Sequence, residues 1–487
     1  MLGNSFSSLH FAVRPRVVSR ILGQVLVALA LLTVVPALVS LLDGQGRIAL
    51  RYGLVITVLG GVGWPCARAR CSEELQANEA MVVSVLAFLL AGAAMAYPLA
   101  GYGLDPMDAF FEALSGVTTT GLSTLESVEP HPRAFLFGRA WLQWVGGLGV
   151  VVLALAFMIP SGTAARRLGF DDREASDYVG STRNHARRLL LTYGALTLVG
   201  IVLGIAVGMD GFTALAHSLS AVSTGGFSTS DTSLAELSWA QRSVTILLCL
   251  AGAVSFSAYY RPSPRRLLRD ARLWSLLVLV ALGGLALGGV IEATGSHSGW
   301  SAWGQAAWMA ASAQTTAGFS TMPTAELPAS GKVLLIGGMI VGGDVGSTAG
   351  GLKVVRVLIV AQLVLVRVLR ASMPRGTQLV PRIDRARVPS AEIEGVAALA
   401  LAMSGVIFVS WLAFLLYDHD PLDALFEVVS AVGTVGLSSG LTGPELQPLL
   451  KAVLCLDMLM GRVELFAFFV LVFPGTWLGR RRSWREE

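Results

Sequence analysis

FFEALSGVTTTGLS (Phe110–Ser123) is echoed three more times in the same chain, as AHSLSAVSTGGFS (Ala216–Ser228), WMAASAQTTAGFS (Trp308–Ser320) and LFEVVSAVGTVGLS (Leu425–Ser438). The echoes fall at intervals of about a hundred residues, and such self-similarity outranks any local reading. Aligned, they keep Thr, any residue, Gly, then Leu or Phe, then Ser. The threonines are Thr119, Thr224, Thr316 and Thr434; the glycines are Gly121, Gly226, Gly318 and Gly436. Each follows an apolar segment about half a membrane deep and precedes a polar stretch and then a longer apolar run. A single such hexapeptide fits an ordinary small-residue helix contact. Four in register with matching flanks describe a unit of span, short helix, loop and span.

The physics of that unit points to a pore. Non-helical backbone is tolerated at membrane depth only where it is buried in protein or lines a watery cavity. Glycine permits backbone angles that turn successive carbonyls toward a common axis. Four such loops can replace an ion's hydration shell with carbonyl oxygens. Threonine adds a hydroxyl, and each short helix aims its negative C-terminal end at the centre. Such a site favours a cation and needs no charged ligand.

The rest of the chain agrees with a membrane setting. It is 54% hydrophobic and 14% charged over 487 residues, whereas a soluble domain carries about a quarter charged residues. Apolar runs long enough to cross a bilayer include Val17–Leu42, Met81–Leu99, Ala134–Ile159, Leu189–Val207, Leu273–Ile291 and Val396–Leu416. The first lacks a small-residue cleavage site and reads as a retained helix. Arginines gather in alternate loops: Arg14, Arg16 and Arg20; Arg166, Arg167, Arg173, Arg183, Arg187 and Arg188; Arg261, Arg265, Arg266, Arg269 and Arg272; Arg367, Arg370, Arg375, Arg382, Arg385 and Arg387; and Arg480, Arg481, Arg482 and Arg485. Short basic loops stay cytoplasmic, which places both termini inside. The clusters lie just beyond apolar runs, so topology explains them and nucleic acid is not needed. Cys66, Cys71, Cys249 and Cys455 read as free thiols, since two thiols in a cytosolic loop make neither a disulfide framework nor a complete zinc site.

The expected fold is an all-α integral membrane protein of ten full spans with four re-entrant pore helices. An N-terminal hairpin (1–75) precedes pore repeats at 76–170, 171–262, 263–388 and 389–487, related by pseudo-fourfold symmetry.

FFEALSGVTTTGLSTL with the following RAWLQWVGGLGVVVLALAFMIP, then HSLSAVSTGGFST, VGGDVGSTAGGLKVVRV, FEVVSAVGTVGLSSGLT and MLMGRVELFAFFV, resemble the Trk/Ktr/HKT superfamily of potassium transporters over nearly the whole chain. The extra hairpin resembles its TrkH branch more than the shorter KtrB branch. The resemblance implies potassium coordination by Thr119, Thr120 and Gly121; Thr224, Gly225 and Gly226; Thr316, Ala317 and Gly318; and Thr434, Val435 and Gly436. Plant relatives with serine at the first glycine are associated with sodium, so Gly121 implies potassium. It further implies a homodimer in the inner membrane, one pore per subunit, with separate cytosolic nucleotide-binding regulatory subunits. No cofactor is expected in this chain, which carries no GxGxxG fingerprint; potassium is the cargo.

The glycine-rich run Gly342–Lys353 breaks the second span of repeat 3. The resemblance makes it an intramembrane gate, with Gly346, Ser347, Thr348, Gly350, Gly351 and Lys353 on it; Arg462, a charge within an apolar stretch, is counted with the gate and expected near the conduction path. Charges in apolar surroundings usually face a cavity or a partner; for Lys353, snorkelling to the cytosol is the alternative. Asp344 departs from the family's small uncharged residues and is a candidate partner for Lys353 or for the ion. Glu112 and Glu427 occupy equivalent pore-helix positions where His217 and Met309 stand in the other repeats, which points to packing and hydrogen bonding.

Two other patterns fail on context. Gly436, Ser438 and Gly440 satisfy GxSxG, but a nucleophile elbow needs a preceding strand. GSTAGGLK lacks the Gly-Lys pair of a phosphate loop. A membrane-embedded enzyme and a proton- or sodium-coupled carrier are the rivals; carriers commonly use inverted repeats, and these repeats run in one orientation.

Overall fold

The computed structural model describes residues 12–69, 75–158, 172–260, 270–295, 299–374, 381–383 and 386–478. Cys71 and half of the loop arginines named above lie outside them. Six helices among the described residues are long and apolar enough to cross a membrane.

Helices α1 (Pro15–Leu42) and α2 (Gly46–Ala67) form the N-terminal hairpin. They cross closely because Gly23 and Gly63 meet there: a Cβ on Gly63 would press on the Gly23 carbonyl and on Leu26.

Four repeats follow. The first has α3 (Ala77–Leu99), pore helix α4 (Pro106–Val117) and α5 (Arg133–Met158). The second has α6 (Asp172–Ala206), pore helix α7 (Gly211–Val222), α8 (Trp239–Ala253) and the short α9 (Ser257–Tyr260). The third has α10 (Ala271–Thr294), pore helix α11 (Trp300–Gln314), α12 (Ala329–Val341) and α13 (Val354–Ala371). The fourth has α14 (Ser390–Leu415), pore helix α15 (Pro421–Val432), α16 (Pro448–Arg462), α17 (Leu465–Val472) and α18 (Pro474–Leu478). The pore helices have 12, 12, 15 and 12 residues, too short to span. Asp210 and Asp420 cap α7 and α15 by accepting from first-turn N–H groups.

The helix after each pore helix packs on the pore helix of the next repeat, so α5 meets α7, α8 meets α11, α12 meets α15 and α16 meets α4. The last contact returns from repeat 4 to repeat 1. One apolar cluster accordingly joins Phe111, Leu114 and Val117 to Leu454, Met458 and Leu459.

One expectation needs correction. Ten full spans were expected, with a break only in repeat 3, yet α8 and α16 are also short, at 15 residues each. The C-terminal carbonyls of α8 are taken by the repeat-3 loop: Asp344 N–H donates to Ala253 and Thr348 N–H to Gly252, while Phe256 N–H donates to Gly346. With its end carbonyls satisfied from outside, α8 has no need to continue. At the end of α16, Glu464 takes a positive φ of 60° and starts α17 on a new axis. Arg382–Ile383 and Ala386–Arg387 pair as a small antiparallel two-residue ribbon beside the helices.

Candidate functional site

Each pore helix ends in the same hydrogen-bonded turn. Thr120, Gly225, Ala317 and Val435 N–H donate to the carbonyls of Ser115, Ser220, Ser312 and Ser430 at 2.8–2.9 Å. The preceding N–H of Thr119, Thr224, Thr316 and Thr434 reaches a carbonyl three residues back. That is a Schellman motif, whose left-handed position glycine normally occupies. Here threonine stands there, at φ 53, 52, 54 and 50°. A β-branched residue in that region costs on the order of 1–3 kcal/mol. Threonine adds a hydroxyl and a methyl over glycine; the methyls of Thr224 and Thr434 stand where a Cβ on Gly252 and Gly461 would point.

The glycines two positions on also have positive φ: 92° at Gly121, 85° at Gly226, 71° at Gly318 and 94° at Gly436. A Cβ on Gly121 would collide with the Gly225 carbonyl, on Gly226 with that of Ala317, on Gly318 with that of Val435, and on Gly436 with that of Thr120. The contacts run around the four repeats and close on the first. Thr119, Thr120, Gly121, Thr224, Gly225, Gly226, Thr316, Ala317, Gly318, Thr434, Val435 and Gly436 therefore lie on one ring.

On one side the ring opens into a cavity of about 230 Å³ lined by the four glycines with Glu126, Arg139, Asp231 and several serines. Asp231 ties two repeats together there, accepting from the Ser127 hydroxyl and the Val128 N–H, both at 2.6 Å. On the other side lies the loop between α12 and α13. Its Gly350 N–H donates to Thr316 Oγ1 at 2.6 Å, and Gly351 N–H to the Gly433 carbonyl at 3.1 Å. Thr348 Oγ1 donates toward the Val222 and Gly252 carbonyls at 3.0 Å and lies 3.4 Å from Thr224 Oγ1. Arg462, buried in α16, donates to the Thr348 carbonyl at 2.7 Å. Gly346, Ser347, Thr348, Gly350 and Gly351 are thus packed under the ring against three repeats. Thr119 and Thr434 Oγ1, on the remaining two loops, are buried with no hydrogen-bond partner among the described residues.

Lys353 does not snorkel. It is buried, has φ 79°, and its ammonium donates to the Ala349 carbonyl. Asp344 does not pair with it; its Oδ1 accepts from Val345 N–H at 2.7 Å, and the Asp344 carbonyl accepts from Ser347 Oγ.

Glu112 and Glu427 sit behind the ring and hold the segment leaving it. Glu112 accepts from Ser123 Oγ, Thr124 N–H and Arg139. Glu427 accepts from Ser438 and Thr442 hydroxyls and Ser439 N–H. His217 does the same at Ser228, and Met309 sulfur at Thr321 N–H.

Sequence reasoning passed over the repeated pore-helix serine: Ser115 and Ser430 Oγ accept the N–H of Gly121 and Gly436 at 3.0 Å. It also passed over Gly146, Gly252 and Gly461, whose missing Cβ lets the carbonyls of Val117, Val222 and Val432 approach. Both recur in each aligned copy named and could have been found by extending the repeat outward.

A family profile described as TrkH, cation transport protein, matches residues 47–272 and 300–474. The Trk system potassium uptake protein TrkH of Salmonella typhimurium is 30% identical over 96% of this chain and 100% of its own length. The protein of the same name from Halomonas elongata is 31% identical over 95% and 99%. The crystal structure of the potassium transporter TrkH from Vibrio parahaemolyticus superposes with a TM-score of 0.85 at 28% identity, covering 95% of this chain and all of the other. Profile, relatives and fold agree along the length of both chains: this is a multi-pass membrane protein of the TrkH family of cation transport proteins.

Proposed function

We propose that the chain takes up potassium, that the ion crosses the ring of four Thr-x-Gly loops, and that the loop Gly342–Lys353 gates the passage. The closed sequence of glycine-to-carbonyl contacts around the four repeats carries this reading. It leaves an axis lined by backbone oxygen and threonine hydroxyls, with four helix C-termini aimed at it, which is an environment for a dehydrated monovalent cation. The relatives' names, potassium uptake proteins, supply the ion. A negative-inside potential drives uptake with about 2.3 kcal/mol per charge per 100 mV.

The gate reading rests on the hydrogen bonds from Gly350 to Thr316 and from Arg462 to Thr348, which hold the loop against the ring. Glycines with positive φ at 342, 346 and 351 give that loop the backbone freedom to leave. The protein works in the inner membrane within a Trk system, as a homodimer with cytosolic nucleotide-binding regulatory subunits and both termini inside. In support of the last point, Val13 N–H donates to the Thr476 carbonyl, so the two described ends share one face.

The test is cation flux into liposomes, comparing potassium, rubidium, sodium and lithium, for wild type and Gly121→Ser. Potassium and rubidium flux with poor sodium flux, eroded in Gly121→Ser, is expected. Unchanged discrimination in the variant removes the ring as the filter.

A further inference from the structure

The ring is not equivalent in its four quarters. At the junction of repeats 1 and 2, Gln143 on α5 is fully buried and spans the back of the repeat-2 loop. Its amide nitrogen donates to the Gly225 carbonyl at 2.5 Å. Its oxygen accepts from Ser220 Oγ at 2.7 Å and Phe227 N–H at 3.1 Å. One side chain thus holds pore helix, ring carbonyl and outgoing segment together. Gly225 also has no Cβ because Gln143 stands in that space.

The other three junctions are built differently. Gln143 lies three residues before Gly146, and the same offset before Gly252, Gly342 and Gly461 gives Cys249, Met339 and Met458. Cys249 packs in one apolar cluster with Ala317, Met339 with Val435, and Met458 with Leu122 beside Thr120. Where the ring residue carries a side chain, the neighbour is apolar. Where it is glycine, the neighbour is an amide that fills the gap and donates a hydrogen bond.

We propose that Gln143 is a positioning residue that sets ion preference: it fixes the Gly225 carbonyl in direction and so resists inward collapse of the ring around an ion smaller than potassium. This rests on the four-loop filter proposed above. A carbonyl oxygen needs to move only a fraction of an ångström to follow a smaller cation, and a restraint on one of four interlocked carbonyls acts on the rest. Gly225 carries that restraint to Gly121, on whose Cα its carbonyl rests.

The experiment is the potassium-to-sodium flux ratio in liposomes for wild type, Gln143→Met and Gly121→Ser. Gln143→Met keeps the volume, as at positions 339 and 458, and deletes the hydrogen bonds. The double variant Gln143→Cys/Gly225→Ala reproduces the Cys249/Ala317 junction that the chain already packs, and supplies the reading if the single variant fails to assemble. The expected result is a ratio about tenfold lower in the assembled variant, the scale of losing a buried hydrogen bond or two. A wild-type ratio in an assembled Gln143 variant, with Gly121→Ser eroded, overturns the role of Gln143 alone. A wild-type ratio in Gly121→Ser as well overturns the filter beneath it.

Discussion

Lys332 on α12 lies 2.5 Å from Asp423 in the first turn of pore helix α15, and the pair joins repeat 3 to repeat 4. The same relation recurs one junction on, where Lys451 on α16 lies 2.5 Å from Asp108 on α4. Between repeats 2 and 3 the corresponding cation is Arg242, held by the Leu237 carbonyl, with Gln305 of α11 beside it at 3.0 Å once its amide is turned. Between repeats 1 and 2, Leu136 stands at that place and packs near Phe212. Three of the four junctions are therefore clamped by a cation from one repeat and a pore-helix acceptor of the next.

Lys332→Met leaves Asp423 without its cation in a partly buried site, with an expected loss of about 2–3 kcal/mol after discounting for the exposure of Asp423. The thermal midpoint of the detergent-purified protein should fall. Lys332→Met/Asp423→Leu should recover much of the loss, and a double variant as unstable as the single one contradicts the clamp.

Thr119→Gly should relieve left-handed strain and stabilise the fold by about 1 kcal/mol while lowering potassium flux. Thermal midpoint and flux are read on the same preparation. If flux holds, the hydroxyl is not used by the ion.

Gly350→Ala places a methyl against Thr434 Oγ1 and the Gly433 carbonyl. The loop must leave the ring, so basal flux should rise about tenfold or more, the factor that 1.4 kcal/mol gives. Lower flux with normal assembly would mean that the loop serves the open pathway instead of closing it.

Asp231 lies outside the spans, and its carboxyl is held below the usual carboxylate range. Partial burial pushes it up, but the Ser127 hydroxyl, the Val128 and Glu129 backbone and the Arg139 charge outweigh that. A depressed carboxylate contributes order that is fully present above its unfolded value of about 3.9 and is lost as pH falls through the folded one. Wild-type flux should stay level from pH 7 down to about 4.5, and Asp231→Ala should flow less throughout that range. A wild-type titration near pH 5–6 that vanishes in Asp231→Ala would contradict the depressed value.

The repeat, the pore helices and the break in repeat 3 were legible because they are written as local patterns: a Thr-x-Gly signature, half-span apolar segments and a glycine-rich run. The breaks after α8 and α16 were not. Nothing local forbids LLCLAGAV or LMGRVELF from continuing as helix; the first stops because the repeat-3 loop, far along the chain, takes its carbonyls. Lys353 and Asp344 misled for a related reason. Opposite charges nearby in sequence suggest a pair, but the backbone turns their side chains to different carbonyl and amide partners.

By itself the sequence determined what must be made: spans from composition, four loops from the repeat, and, from glycine, threonine and helix ends without charge, the proposed cation site. Those properties belong to segments and survive any arrangement of them. Only the tertiary structure decided the order in which the glycines meet their neighbours' carbonyls, the two threonine hydroxyls left without a partner among the described residues, and the asymmetry that Gln143 gives repeat 2. The glycine and Gln143 relations are contacts between residues of different repeats, far apart in sequence, fixed by how helices pack and not by what any one of them prefers.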